Sequence, residues 1–93
     1  MRTFIKDPDA DLDYGMDWTN WLNGDTIVAS TWIAPDGSGL ALHDGATNAA
    51  GTVTTIWLRG GVVAATPWMV TNRITTAGGR TEDRSLLITV RER

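Results

Sequence analysis

The sequence predicts an all-β domain, an immunoglobulin-like antiparallel β-sandwich of about seven strands entered by an extended N-terminal arm. Three observations carry that expectation. Thr, Val and Ile supply 14, 6 and 6 of the 93 residues, and β-branched side chains pack well on pleated surfaces. Ten glycines punctuate the chain against three prolines, so turns are cheap to make. Stretches of apolar and polar alternation recur between turn signals spaced about every 8–12 residues, the spacing of short sandwich strands.

Residues 1–9 mix basic, apolar and acidic side chains and end at Asp7-Pro8-Asp9. Pro8 fixes its own φ and biases Asp7 away from helix, so this segment reads as an extended arm and residues 10–93 as the sandwich. Leu12, Tyr14, Met16 and Trp18 alternate with Asp13 and Asp17 as a half-buried first strand. Trp18 and Trp21 share one face of a single turn that stops at Asn23-Gly24. Residues 25–34 are apolar on both sides and read as an inner strand, closed by the turn chemistry of Pro35-Asp36-Gly37-Ser38-Gly39.

Leu40 to His43 makes a short strand before a loop of small and polar residues over 44–51. Thr52 to Leu58 alternates again until Arg59-Gly60-Gly61 breaks it. The last third is the most regular. Trp68, Val70, Asn72 and Ile74 share one face, Leu86, Ile88 and Val90 another, and Ala77-Gly78-Gly79-Arg80 joins the two strands as a hairpin turn.

Composition removes several classes of function. Without cysteine there is no disulfide scaffold, thiolate zinc site or thiol catalysis. A formal net charge of −3 and a pI near 4.8 argue against nucleic acid or a polybasic membrane surface as partner. The apolar runs are far shorter than the roughly 20 residues of a membrane-spanning helix. Met1 to Asp7 lacks the apolar core of a secretory signal, so the chain is expected to be made in the cytoplasm.

The alternating Asp7, Asp9, Asp11 and Asp13 resemble the opening of a calcium loop, but the sixth and twelfth places hold Leu12 and Trp18 instead of glycine and glutamate. No metal site or cofactor is expected. His43 is the single histidine, and no nucleophile-elbow spacing accompanies it. No catalytic residue is therefore assigned. The double glycines lack phosphate-cradle spacing and read as turns. The arginines of 80–84 and 91–93 are interleaved with acids, which suits surface ion pairs or an interface rim. Five tryptophans are many for this length. Trp32, Trp57 and Trp68 lie within strands and are expected in the core, whereas Trp18 and Trp21, at a strand end and turn, are the better interface candidates.

Lys6-Asp7-Pro8-Asp9, Leu12-Asp13-Tyr14, Trp18 through Leu22, Gly24-Asp25-Thr26-Ile27 and Ser30-Thr31-Trp32 stand in an order that extends through Trp57-Leu58 and Gly60-Gly61. It continues in Val70-Thr71-Asn72-Arg73-Ile74-Thr75-Thr76, Gly79-Arg80 and Arg84-Ser85. Together they resemble the phage fibre–tail adaptor family of tailed phages and prophages, over nearly the whole chain. The resemblance implies a small immunoglobulin-like virion protein without enzymatic activity, placed where a tail or baseplate meets receptor-binding fibres. Its expected partners are tail or baseplate proteins, the tail fibre protein and copies of itself around the tail axis, with no small-molecule substrate. An arm of this kind would lie against a neighbour, with Phe4 and Ile5 as apolar anchors and Arg2 and Lys6 as polar pins beside Trp18 and Trp21. The rival readings are a carbohydrate-binding sandwich that stacks exposed indoles on host glycans and, with less support, a small hydrolase.

Overall fold

Side chains that alternate with period two let each strand give one face to a core and one to water, and this alternation sorts the chain into two packed sheets. The structure, a computed structural model, describes residues 2–92. Met1, inside the expected arm, and Arg93, at the end of the expected sandwich, lie outside the described residues. The elements are β1 (Thr3–Lys6), β2 (Asp11–Asp17), α1 (Thr19–Leu22), β3 (Ile27–Ile33), β4 (Leu40–Thr47), β5 (Val53–Gly60), β6 (Trp68–Thr76) and β7 (Thr81–Val90). One sheet has the order β1-β7-β6-β3 and the other β2-β5-β4. All pairings are antiparallel except β1 with β7, which is parallel. The orders β7-β6-β3 and β2-β5-β4 are the G-F-C and B-E-D orders of the immunoglobulin arrangement.

The core lies between the sheets. Tyr14, Met16, Ile56, Leu58 and Leu40 face it from the three-stranded sheet, and Val70, Ile74, Leu86, Ile88 and Val90 from the four-stranded one. At its centre a polar network spans both sheets. Trp18 Nε1 and Thr54 Oγ1 donate to Asn72 Oδ1 at 3.1 and 2.7 Å. Asn72 Nδ2 donates to Ser30 Oγ at 2.9 Å and to the Thr31 carbonyl at 3.1 Å. Every hydrogen-bonding position of the buried amide is thereby used, which removes the penalty of an orphaned polar group in the core.

Four expectations are corrected. The arm over residues 1–9 does not leave the sandwich: Thr3–Lys6 pair with Leu87–Val90, and the Leu87 N–H donates to the Arg2 carbonyl at 2.9 Å. The cause is the alternation within the segment, which turns Phe4 and Lys6 inward and leaves Thr3 and Ile5 outward. The strand expected at the centre, β3, is an edge strand; its Val28 is 65% exposed beside a register shift between Ile27 and Ala29. The first half of the loop expected over 44–51 is strand, because β4 absorbs Asp44-Gly45 as an irregularity, with Asp44 at φ 51, and pairs on to Thr47. Trp57 is not core: Thr54, Ile56 and Leu58 take the inner face of β5 and leave the indole on the outer face, 37% exposed.

Candidate protein-interaction site

The strand β7 is ten residues long and β1 only four, so β1 covers only the last four residues of the β7 edge, Leu87–Val90. Thr81 to Leu86 pair with β6 on one side and, among the described residues, with no strand on the other. Facing this open edge is β2, which among the described residues pairs only with β5. Between them runs a groove of about 660 Å³ lined by Gly15, Met16 and Asp17 of β2, by Asp83 to Leu86 of β7, and by Arg2. It continues past Arg2 and Gly15 into a second hollow of about 370 Å³ beside Phe4, Ile5, Leu12, Asp13 and Tyr14. The Tyr14 side chain is 93% covered (7% exposed), and among the described residues its hydroxyl has no hydrogen-bond partner; burial, and then the charge of Asp13, push its pKa up.

Of the residues expected to bind a partner, the structure brings Arg2, Phe4 and Ile5 together along this groove and removes two others from direct contact. Phe4 is half-buried, edge-on to Tyr14 at 5.0 Å between ring centroids, and Ile5 is 39% exposed. Lys6 is fully buried. Its ammonium donates to the carbonyls of Asp7, Ala10 and Gly60 at 3.0, 2.5 and 2.6 Å, so it clamps the β1–β2 turn to the end of β5. Burial pushes its pKa down, against the pull of Asp11, Asp7 and Asp9. Trp18 is also fully buried; its indole is closed in by Trp21, edge-on at 5.6 Å, and by the Arg84 guanidinium at 4.2 Å. The expectation that Lys6 and Trp18 meet a partner directly is corrected: both serve the interior. Trp21 stays half-buried under Arg80, whose guanidinium carbon is 4.3 Å from its ring.

The end of the sandwich that carries Trp21 is held by Asp25. Its carboxylate accepts from the N–H of Thr26 and Gly78 at 2.8 and 3.0 Å and pairs with Arg80 at 3.2 Å. Hydrogen bonds from the Thr76 side chain first, then from Thr26, Gly78 and Arg80, lower its pKa to about 2. Arg80 also donates to the Leu22 carbonyl at 2.8 Å, tying α1 to the β6–β7 hairpin.

On the outer face of the three-stranded sheet, His43 bridges two carboxylates, Nε2 to Asp11 at 2.8 Å and Nδ1 to Asp44 at 2.9 Å. Asp11 also meets Arg59 at 3.3 Å. The hydrogen bond to Asp11, then that to Asp44, raises the His43 pKa. With both ring nitrogens occupied by carboxylates, this imidazole has neither a hydroxyl to activate nor a free lone pair for a metal. Among the described residues no cluster of His, Asp or Glu has the geometry of a metal site. The indoles form no row: Trp18 is buried, Trp21, Trp32 and Trp68 are half-buried, and Trp57 alone is exposed.

Of the groove's two arginines, sequence reasoning singled out Arg2 as a polar pin but not Arg84, since it expected the arginines of 80–84 to form surface ion pairs or an interface rim. Arg80 pairs with Asp25 at 3.2 Å. Arg84 instead stacks on Trp18 and donates to the Asp17 carbonyl at 3.1 Å. No signal in the local sequence separates Arg84 from Arg80, because each is defined by a tryptophan more than 50 residues away.

Comparison with known proteins identifies the frame in which these features sit. The family described as podophage GP4 fiber-tail adaptor protein gp77 matches residues 6–89. The chain belongs to this family. No curated protein sequence matches it. Among solved structures, the cysteine protease inhibitor EhICP2 from Entamoeba histolytica is similar in fold, with a TM-score of 0.55 and 14% identity over 97% of this chain and 85% of that one. At that identity the likeness concerns the sandwich alone. Within the fiber-tail adaptor match lie the Lys6 clamp, the Trp18–Asn72 network and the Asp25–Arg80 pair, all internal supports. Arg84 falls inside the match and Arg2 outside it.

Proposed function

We propose that this chain is a non-enzymatic structural protein of a phage virion that joins the tail or baseplate to receptor-binding tail fibres. The family match over residues 6–89 carries the reading, and the seven-stranded sandwich braced by the Asn72 network suits a rigid spacer. The protein is made in the host cytoplasm and resides in the virion tail. Copies of it stand around the tail axis, joined by heterologous contacts that close a ring. Arg2, Phe4, Ile5 and Trp21 are the expected partner contacts that the fold leaves at least partly exposed.

The purified chain, alone and mixed with the tail and fibre proteins of the same phage, is to be measured by light scattering after size exclusion. A stable complex with either class of neighbour supports the adaptor reading, and a complex with both establishes the joint. A monomer that ignores both overturns it. The carbohydrate-binding alternative would then be tested by glycan titration of tryptophan fluorescence, in which Trp57 is the indole available to a sugar ring.

A further inference from the structure

Arg2 and Arg84 line the same groove, and among the described residues neither has a carboxylate partner, whereas Arg59, Arg73 and Arg80 each do. Both are fixed by aromatic rings instead, Arg2 at 5.0 Å over Phe4 and Arg84 at 4.2 Å over Trp18. A guanidinium seated over a ring still offers N–H donors to a carboxylate; Arg84 commits one of its own, Nη1, to the Asp17 carbonyl at 3.1 Å. The two acids in the groove are already engaged. Asp83 holds Arg73 through both oxygens at 2.8 and 2.9 Å, and Asp17 accepts from the Thr19 N–H at 3.0 Å and from its hydroxyl. The groove therefore presents two guanidinium groups outside any direct ion pair, beside an Asp17 carboxylate whose charge is felt by Arg84.

Its wall supplies backbone donors as well. The Leu87 N–H points to β1, where it meets the Arg2 carbonyl, and strand alternation aims the N–H and carbonyl of Ser85 and Asp83 at the same edge. The Asp83 N–H is met there by the Glu82 carboxylate at 3.0 Å, an oxygen standing where a neighbouring strand would place its carbonyl. An open strand edge of this kind is a template for strand addition.

We propose that the groove between β2 and the first half of β7 receives an extended, acidic segment of a partner protein. The segment adds as a strand along Asp83–Ser85 and places a carboxylate between Arg2 and Arg84. The attribution of that segment to a neighbouring virion protein rests on the adaptor reading; the groove's preference for an acidic strand does not.

The probe is the peptide acetyl-Thr-Glu-Val-Glu-Val-Glu-Thr-amide, with its Gln counterpart, titrated into the isotope-labelled chain at low salt and followed by amide chemical shifts. Saturable shifts at Gly15–Asp17 and Asp83–Leu86 are expected. The Gln peptide, Arg2→Gln and Arg84→Gln should each weaken binding about tenfold, and added salt should weaken it further. Arg84→Lys, which keeps charge but not the fork, separates carboxylate recognition from damage to the Trp18 packing, and should retain the fold while losing affinity. Shifts elsewhere, no saturation, or equal binding of the Glu and Gln peptides would overturn the proposal. So would self-association through Arg2 and Arg84, which makes a second copy the occupant. Failure of the mixing experiment above with peptide binding intact would instead count against the adaptor reading alone.

Discussion

Replacing Trp18 by alanine separates an interior role from an interface role. The side chain is fully buried, donates to Asn72 Oδ1 at 3.1 Å, and lies under Trp21 and Arg84. Truncating a buried Trp to Ala costs about 3–5 kcal/mol, and loss of the Arg84 contact adds about 0.5–2 kcal/mol. The hydrogen-bond loss adds little, because Thr54 Oγ1 still donates to the same Asn72 oxygen at 2.7 Å. At about 0.05–0.15 kcal/mol per residue the whole domain is stable by roughly 5–14 kcal/mol, so the variant should forfeit about a quarter or more of that. Urea unfolding followed by far-ultraviolet circular dichroism measures it without relying on the indole being removed. The midpoint should fall well below wild type, and Tm should drop by more than about 12 °C. Trp18→Phe, which keeps a ring, should cost about 1–2 kcal/mol. An isolated Trp18→Ala chain within about 1 kcal/mol of wild type that fails to join its partners would refute the interior role and restore Trp18 as an interface anchor.

Lys6→Met leaves the carbonyls of Asp7, Ala10 and Gly60 without their shared donor. At about 1–3 kcal/mol for each carbonyl that water cannot reach, a loss of at least about 2 kcal/mol is expected by urea titration; an unchanged midpoint contradicts the clamp. Asp25, lowered from 3.8 to about 2, contributes stability that is present above its unfolded pKa and lost as pH falls from about 4 towards 2. Asp25→Asn should flatten the acid limb of stability against pH. His43 is shifted the other way, so its contribution is complete below 6.5 and lost as pH rises through its higher folded pKa; Asp11→Asn should bring its imidazole titration, read by NMR, back towards 6.5. At Gly61, with φ 116, an added Cβ would come within 2.8 Å of Val90 Cγ2 and 3.0 Å of Leu40 Cδ2, whereas at Gly79, with φ 84, it meets nothing within 4 Å. Gly61→Ala should therefore lose about 1–3 kcal/mol more than Gly79→Ala, since only the first adds overpacking to backbone strain.

The legible part of the fold is the part whose signals are local. The inner faces of β6 and β7, with Val70, Asn72 and Ile74 on the same buried side as Leu86, Ile88 and Val90, follow from alternation alone, and the Ala77-Gly78-Gly79-Arg80 turn sits between them as expected. What escaped depends on distant partners. The β1 strand cannot be told from an arm without knowing that Leu87–Val90 offers it an edge, and β4 reads as ending at His43 because the bulge at Asp44-Gly45 has the composition of a turn. Period two places Trp57 with Val53 and Thr55 but cannot say which face is inward. That is decided by Asn72, which accepts the Thr54 hydroxyl in the core and so makes burial of a threonine tolerable there.

The same logic bears on the interaction site. The residues through which the chain resembles its family are largely consumed internally: Lys6 by three carbonyls, Trp18 by Asn72, Asp25 by the hairpin, Gly61 by contact with Val90 and Leu40. Such residues report the frame and carry no information about what the frame touches. A joint must hold its shape under load while presenting distinct surfaces to distinct proteins, and those surfaces have to be made of groups the frame does not use. The Arg2 side chain meets that condition, as do the outward Met69 and Ile33 on the four-stranded sheet, and Arg84 meets it with the donors left over from Trp18 and the Asp17 carbonyl. The charged face around Asp11, His43 and Arg59 on the other sheet satisfies its own charges. A partner that binds there must break ion pairs before forming new ones, whereas one entering the groove beside β7 meets cations already desolvated on one face by Phe4 and Trp18. Desolvation already incurred in folding is not incurred again on binding, and this favours the groove over the charged face as the first point of attachment.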